Sequence, residues 1–240
     1  MYNDKEGTGR KISAIIVAAG KGTRMNGKQN KLFMKIGGIP IIIRTLHAFE
    51  FCDYVNDIVL VASQHEIEAF QKLIDKYAIK KVKKYVVGGS TRQQSVYNGL
   101  IEIDDETKVV IIHDGARPFV TTANIVNTIN AAFKYGAAIT AVPVKDTIKT
   151  WDCVGYVKAT LDRTTVISAQ TPQAFRYNII LDAHKQAIKH MFIGTDDSVL
   201  VERIGHKVQV VEGSYRNIKI TTPDDIAIAQ KFVQGEKWVL

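Results

Sequence analysis

Residues 12–25 read ISAIIVAAGKGTRM, an apolar run that ends in a turn of small residues. The run has the length of a strand, and unbroken apolar character is typical of a strand buried on both faces of a parallel sheet. Glycines at positions 20 and 22 let backbone N–H groups approach an anion, and Lys21 and Arg24 add positive charge. The stretch predicts a first strand followed by a phosphate-binding loop at the carboxyl edge of a sheet.

This loop differs from two common glycine loops. A Walker loop needs Gly-x-x-x-x-Gly-Lys-Ser/Thr, and Met25 stands where a dinucleotide-binding loop has its third glycine. Glycine spacing alone is a weak signal, so an ordinary turn stays open as an alternative at this point.

Strand-length apolar runs recur along the chain, and each of the first four is followed by a segment with helical periodicity. The predicted strands of the first part are 12–19, 57–62, 82–87, 109–113 and 137–144, with helices at 40–51, 64–77, 90–103 and 121–135. The alternation indicates βαβ units. We therefore expect an α/β fold, a Rossmann-like, mainly parallel twisted sheet covered by helices on both faces.

The pattern changes after residue 144. Residues 145–165 are polar with alternating apolar positions, which predicts an extended β-arm or hairpin outside the sheet, longer than the usual connection of about four to six residues. Helices are then expected at 176–190, at 197–204 and from Pro223, with strands at 208–211 and 217–221. We predict one domain over residues 1–240, with the arm at about 145–165.

Composition and charge restrict the class of protein. The 240 residues include 32 Lys plus Arg against 24 Asp plus Glu, a formal charge of +8 that attracts nucleotides, sugar phosphates or nucleic acid. No apolar run approaches the ~20 residues of a membrane span, and Cys52 and Cys153 lack metal-site spacing. We expect a soluble, cytoplasmic protein with free thiols, and no membrane partner.

Two segments carry further candidate residues. Asp114 ends an apolar strand and is placed to hold Mg²⁺, although a helix cap or a partner for Arg117 explains it equally well. His113 before it fits a satisfied, partly buried histidine rather than a general base. Lys219 lies in an otherwise apolar predicted strand, where it is costly unless it meets an anion, the alternative being an edge-strand lysine. No esterase, zinc-protease or kinase motif is present, so a reaction based on positioning and charge neutralisation remains.

Taken together, the segments resemble the 2-C-methyl-D-erythritol 4-phosphate cytidylyltransferases of the non-mevalonate isoprenoid pathway. The resemblance covers nearly the whole chain after about residue 11. Its motifs, in order, are Ala18-Ala19-Gly20-x-Gly22-x-Arg24-Met25, Asn30-Lys31, Gly88-Gly89-Ser90-x-Arg92-Gln93-x-Ser95-Val96, His113-Asp114-Gly115-Ala116-Arg117-Pro118, Pro143-Val144-x-Asp146-Thr147-x-Lys149, Gln170-Thr171-Pro172-Gln173, Thr195-Asp196-Asp197 and Asn217-Ile218-Lys219-Ile220-Thr221-Thr222-Pro223.

The resemblance implies a nucleotidyltransferase domain and a set of roles on the CTP side. The glycine loop, with Ala18, Ala19, Gly20 and Gly22, is expected to wrap the CTP phosphates, while Arg24 and Lys31 neutralise charge near the α-phosphate. Gly88, Gly89 and Ser95 are expected to read the cytosine, and Asp114, Gly115 and Ala116 to serve the ribose and the metal ion. Lys219 matches a lysine that bridges both substrates. Lys28 competes with Lys31 for the catalytic place, and we favour Lys31 because it follows Asn30.

On the acceptor side, the resemblance implies a homodimer with shared sites. Thr147 and Arg163 match residues on an arm that crosses to the neighbouring subunit and grips the acceptor phosphate, with Arg117 and Thr195 nearby. The implied reaction joins CTP to the sugar-alcohol phosphate with Mg²⁺ and releases pyrophosphate. An acceptor phosphate is already ionised, so catalysis needs orientation and charge stabilisation rather than a general base.

Three other functions are considered. Ribitol-5-phosphate cytidylyltransferase shares the scaffold, but residues 115–118, 161–163 and 196–198 resemble the methylerythritol phosphate enzyme more closely. A hexose-1-phosphate nucleotidyltransferase has a similar loop but usually a longer chain. A basic nucleic-acid-binding protein would suit the charge, yet no recognition module or aromatic stacking surface is visible, so we expect no nucleic-acid partner.

Overall fold

A computed structural model describes residues 10–20 and 30–234, and places seven strands in one twisted sheet. These seven, together with two separate strand pairs, β2 with β3 and β8 with β9, give eleven strands in the described residues: β1 (Lys11–Val17), β2 (Lys35–Ile36), β3 (Ile39–Pro40), β4 (Asp57–Ala62), β5 (Val82–Val87), β6 (Thr107–Asp114), β7 (Ala137–Pro143), β8 (Lys149–Trp151), β9 (Val157–Thr160), β10 (Ile167–Arg176) and β11 (Gln209–Glu212). The helices are α1 (Ile41–Glu50), α2 (Ile67–Lys76), α3 (Arg92–Leu100), α4 (Thr122–Tyr135), α5 (Tyr177–Lys189), α6 (Ser198–Arg203) and α7 (Pro223–Phe232).

The sheet has the strand order β11-β7-β10-β6-β1-β4-β5. Strand β10 runs antiparallel to both neighbours, and every other pair in this order is parallel. Val17 pairs with Val61 on one side and with Asp114 on the other, so the carboxyl ends of β1, β4 and β6 lie at one edge. In a parallel sheet this edge is where ligands bind.

The core forms on both faces of the sheet. Ile12, Ala14 and Ile16 of β1 pack with the apolar sides of α1, α2, α4 and α7, while Ile15 points the other way toward α3, α5 and α6. Successive side chains of a strand alternate between faces, so a strand covered on both sides is apolar over most of its length. The fold class predicted from the apolar runs is confirmed.

Two predictions about individual strands are wrong. Residues 217–221 form no strand: the side chain of Asn217 is taken up by Gln170 and Thr171, and Ile220 N donates to Ala116 O as the segment crosses the sheet edge. Strand β10 was not predicted, because its first residues are exposed and it contains Pro172, which argues against a central strand.

The extended arm is present as a hairpin. Strands β8 and β9 pair antiparallel, and all of their residues are exposed. Trp151, Val154 and Tyr156 on this hairpin are 75%, 75% and 72% exposed, large for apolar side chains. Across residues 10–20 and 30–234, the helices are too short or too polar to cross a membrane. Cys52 is buried, Cys153 is exposed, and both are free thiols.

Candidate active site

A cleft opens at the carboxyl edge of the parallel strands, where the loops after β1, β5 and β6 meet. The strand register brings these loops together. Val17 at the end of β1 pairs with Asp114 at the end of β6, and Ala62 at the end of β4 pairs with Val87 at the end of β5. The described lining residues are Val17, Ala18, Ala19, Gly20, Asn30, Lys31, Leu32, Gly89, Ser90, Thr91, Arg92, Ser95, Asp114, Ala116, Lys219 and Thr221. Most of the residues predicted for the nucleotide are therefore brought together. The predictions for Gly22 and Arg24 lie outside the described residues.

The loop after β5 lies too close to the first loop and to α3 for side chains at Gly88 and Gly89. A Cβ added at Gly88 would lie 2.3 Å from the Cβ of Ala19, and one at Gly89 would lie 2.0 Å from Gln94 Cγ. The hydroxyl of Ser95 accepts a hydrogen bond from Gly89 N at 3.0 Å and donates one to Thr91 O at 2.9 Å. Ser95 thus fixes the shape of this loop at the start of α3 and leaves the loop backbone facing the cleft.

Asn30 places Lys31 at the cleft. Its side-chain oxygen accepts from Leu32 N at 3.0 Å and so caps a short 3-10 helix over Lys31–Phe33, while its amide nitrogen donates to Glu66 at 3.0 Å. Asn30 is buried, which fixes the direction in which the chain enters the helix. Lys31 is the first residue of that helix and lines the cleft.

Asp114 is surrounded by cations. Its Oδ1 accepts from Arg92 Nε at 3.1 Å, and its Oδ2 lies 2.7 Å from Lys219 Nζ and 3.9 Å from Arg117 Nε. Burial opposes ionisation of this carboxyl, but the charges of Arg92, Lys219 and Arg117 outweigh it and hold the pKa of Asp114 well below its usual range. Asp114 is therefore an anion that fixes three cations around itself.

Arg92 lines both cavities and Asp197 lies behind it, although neither was among the predicted site residues. Arg92 Nη1 lies 2.8 Å from Asp197 Oδ2, and Asp197 is buried. Burial disfavours the charged form of Arg92, yet the two carboxylates beside it more than compensate and raise its pKa. Both residues stand in motifs quoted from the sequence, and that position was the available signal; composition and spacing give no sign of the pairing.

A second cavity adjoins the first. It is lined by Arg92, Asp114, Arg117, Ala169, Gln170, Thr171, Gln173, Thr195, Asp196 and Lys219. Arg92, Asp114 and Lys219 line both cavities and therefore stand at their junction. Arg117 donates to Asn217 O at 2.7 Å, and burial lowers its pKa even though Asp114 lies nearby.

Other predicted site residues are placed differently. Thr147 and Arg163 are exposed residues of the arm and line neither cavity. Arg163 Nη1 donates a hydrogen bond to Lys145 O at 3.3 Å. Gly115 lies behind the cleft wall, where an added Cβ would be 3.1 Å from Val17 O. Gly88 supports the cleft through its contact with Ala19 rather than as a lining residue.

His113 is a structural residue, as its position predicted. It is fully buried, with Nδ1 3.1 Å from Thr171 Oγ1 and Nε2 3.2 Å from Arg117 O, and its ring packs against Phe49. Burial lowers the pKa of His113 to about 3, so the ring is neutral at physiological pH. It lines neither cavity and holds the strand end that presents Asp114.

Comparison with known proteins identifies the family. A family model described as IspD: 2-C-methyl-D-erythritol 4-phosphate cytidylyltransferase matches residues 12–235. The protein of that name from Caldanaerobacter subterraneus subsp. tengcongensis is 46% identical over 224 residues, covering 93% of this chain and 99% of the relative. The one from Geobacillus thermodenitrificans is 49% identical over 217 residues, covering 90% and 94%.

A solved structure agrees. The 4-diphosphocytidyl-2C-methyl-D-erythritol synthase from Anaerococcus prevotii superposes with a TM-score of 0.84 at 38% identity, covering 94% of this chain and 97% of that one. Fold, cleft and sequence therefore point the same way, and the chain belongs to the 2-C-methyl-D-erythritol 4-phosphate cytidylyltransferase family.

Proposed function

We propose that this enzyme transfers the cytidylyl group of CTP to 2-C-methyl-D-erythritol 4-phosphate, giving 4-diphosphocytidyl-2-C-methyl-D-erythritol and pyrophosphate. The observation that carries the proposal is the junction formed by Arg92, Asp114 and Lys219 between two adjoining cavities. A reaction that joins two phosphorylated substrates needs both in one place, with positive charge at the phosphorus where the new bond forms.

The chemistry follows from the charges at the junction. A phosphate oxygen of the acceptor attacks the α-phosphorus of CTP in line, a new P–O bond forms, and the bond to the leaving pyrophosphate breaks. The attacking oxygen is already an anion, so no proton has to be removed. This agrees with a site in which His113 is buried and neutral and the described junction offers Arg92 and Lys219.

We assign the first cavity to CTP. Residues 18–20 and 89–91, which are all small, line it and let a nucleotide approach the backbone, and Lys31 supplies charge at the same cleft. A cleft wall built from backbone groups, held in shape by Ser95, rejects a base whose donors and acceptors leave those groups unpaired.

The described residues of the first cavity offer one carboxylate, that of Asp114, as a ligand for Mg²⁺. Among the described residues, no cluster of three or more His, Cys, Asp or Glu side chains could hold a metal ion alone. Mg²⁺ at nucleotide sites is typically held by one or two carboxylates together with substrate phosphates, and the ionised Asp114 could supply one such oxygen. When bound, the ion would offset the charge of the triphosphate and of the leaving pyrophosphate.

We assign the second cavity to the acceptor, with Arg117 and Thr195 in its wall. Thr147 and Arg163 are proposed to complete this cavity in the partner subunit of a homodimer, carried there by the arm. The support is the exposure of Trp151, Val154 and Tyr156, apolar side chains that a partner would cover. The two free thiols suit a cytoplasmic enzyme.

Pyrophosphate release tests the proposed function. The purified chain is incubated with Mg²⁺, each nucleoside triphosphate in turn, and either 2-C-methyl-D-erythritol 4-phosphate or ribitol 5-phosphate. We expect release with CTP and the methylerythritol phosphate, and much slower release with ATP, GTP or ribitol phosphate. Equal efficiency with ATP, or a preference for ribitol phosphate, would overturn the assignment.

A further inference from the structure

Asp197 is a buried carboxylate to which the function described above assigns no task. Its side chain is 1% exposed, and it lies in the described wall of neither cavity. Burying a carboxylate costs several kcal/mol of solvation free energy, so an ionised one persists only with charged or hydrogen-bonding partners. The partners of Asp197 therefore indicate what it does.

The contacts of Asp197 lead to the reaction site. Its Oδ2 lies 2.8 Å from Arg92 Nη1, and its Oδ1 lies 3.4 Å from Nε2 of the buried His184. Arg92 in turn donates through Nε to Asp114, which holds Lys219 at 2.7 Å. Asp197, Arg92, Asp114 and Lys219 form a continuous line of alternating charge from the protein interior to the junction of the two cavities.

The geometry of Arg92 explains why two carboxylates are needed. A guanidinium group is planar and presents donors on separate edges, so one anion leaves it free to rotate about the contact. Asp114 accepts a hydrogen bond from its Nε, and Asp197 forms an ion pair with its Nη1 at 2.8 Å, so carboxylates hold Arg92 at two of its edges. A lysine in this place has a single ammonium group and no such plane.

The start of α6 holds Asp197 in place. The neighbouring Asp196 accepts hydrogen bonds from Gln173 Nε2 at 2.8 Å and from Val199 N at 3.1 Å, which ties this end of the helix to β10. On the other side, His184 comes from α5. The residue before Asp197 is thus tied to a strand, while the carboxylate of Asp197 itself lies between residues of α3 and α5.

We infer that Asp197 is a positioning residue: it orients Arg92 and, through Arg92, the pair of Asp114 and Lys219 at the junction. It touches neither substrate. The inference rests on the proposed function, because it assumes that the junction is where the phosphoryl groups meet. A purely structural role is the competing explanation, and it predicts that loss of Asp197 lowers stability and leaves turnover per folded molecule unchanged.

Asp197→Asn is the first test, since it keeps the size of the side chain and removes its charge. We expect kcat to fall about ten- to hundredfold, the usual effect of displacing a reacting group by about 1 Å. The Kd of CTP, measured by calorimetry without acceptor, should change less than about threefold. Asp57→Asn is the matched control, because Asp57 pairs with Lys11 at 3.5 Å at the opposite end of the sheet, and its kcat should equal that of the wild type.

The decisive measurement compares Arg92→Gln with the double variant Arg92→Gln/Asp197→Asn. If Asp197 acts through Arg92, the second change adds nothing, and the two kcat values agree within about threefold. The double variant also removes both charges of the buried pair together, which is better tolerated than leaving one unpaired. It therefore gives a reading even if Asp197→Asn alone does not fold.

Each outcome has a defined meaning. Wild-type kcat in Arg92→Gln or in Asp197→Asn overturns the inference, and so does a further loss of tenfold or more in the double variant. Arg92→Lys should not restore kcat, because one ammonium group cannot hold both carboxylates in the same plane. An inactive wild-type protein would instead contradict the proposed function, and the two failures are distinguishable.

Discussion

Lys219 Nζ lies 2.7 Å from Asp114 Oδ2, and this contact brings a lysine from the crossing segment before α7 to the carboxyl end of β6. The lysine side chain is 37% exposed, so the contact leaves part of it facing the cavities. Its charge is held at the junction without substrate, which reduces the reorganisation needed when phosphate charge develops in the transition state. The alternative explanation, a lysine that protects the edge of a sheet, therefore does not apply to Lys219, which lies in no strand.

Replacing Lys219 by Met should reduce kcat/KM by an amount equivalent to about 2–4 kcal/mol, the usual cost of losing one electrostatic donor. The stem of Met is similar in size, so the fold should be retained, as judged by the melting temperature. Lys207→Met is the control, since Lys207 is exposed and lies on the surface after α6. Equal activity of the two variants would show that the charge of Lys219 takes no part.

Lys31 and Lys28 compete for one place, and the structure describes only Lys31, which lines the cleft. Lys31→Ala should cost about 2–4 kcal/mol of transition-state stabilisation, as should Arg24→Ala, while the fold is unchanged. Lys28→Ala should keep most of its turnover. Steady-state kinetics of the three variants decides, and near-normal turnover of Lys31→Ala together with an inactive Lys28→Ala would assign the place to Lys28.

The fold could be predicted from the sequence because its main signal is local. Residues 12–17 and 109–113 are apolar except for Ser13 and His113, and such nearly continuous apolar runs are typical of a strand covered on both faces. Strand β10 escaped prediction because its stability comes from two long-range pairings, with β6 and β7, that no local pattern records. Residues 217–221 show the opposite case. Their alternating apolar residues predict a strand, but their backbone pairs with no strand of the sheet.

The site could be predicted only in part for a related reason. Single residues at strand ends, such as Asp114, can be proposed from their position in a pattern. The pairing of Arg92 with Asp197 depends on how α3 and α6 pack, and a charged residue in isolation gives no sign of its partner. The positions of Arg92 and Asp197 in shared motifs indicate that both matter, but only the distance between them shows that they act as a pair.

Stability should depend on pH through His113. The folded protein holds the pKa of this buried ring at about 3, against 6.5 for an ordinary histidine, so protons bind the unfolded state preferentially as pH falls. The contribution is therefore complete above about pH 6.5 and is lost as pH falls from there toward about 3. Between pH 6.5 and 5 the free energy of unfolding should drop by about 1.6 kcal/mol from this group alone.

Urea unfolding of His113→Asn checks that slope. The variant is expected to be less stable at pH 7, because the contacts to Thr171 and Arg117 are altered, but its stability should change less between pH 6.5 and 5. His65→Asn is the control, since His65 is exposed, and it should keep the wild-type slope. An unchanged slope in His113→Asn would mean that the ring binds a proton as readily in the folded protein as in the unfolded chain.

The arm carries two predicted acceptor residues away from the described cavity walls. Arg163 follows Asp162, whose side chain accepts from Thr164 N at 3.0 Å and so shapes a short turn at the base of the hairpin. Apolar side chains on the hairpin are exposed in the single chain. A closed two-fold dimer would bury them reciprocally and bring each Arg163 to the partner's site.

Mixing two inactive variants tests whether sites are shared. Lys31→Ala removes a cation from the nucleotide side of one site, and Arg163→Ala should weaken acceptor binding much more than CTP binding, because its guanidinium is expected to meet only the acceptor phosphate. If Arg163 acts across the dimer, a heterodimer has one site with both lesions and one with neither. Statistical mixing then restores up to about a quarter of wild-type activity.

Subunit exchange is verified independently with a tagged chain, and Arg163→Ala mixed with itself is the control. No recovery despite exchange would place Arg163 in its own chain's site.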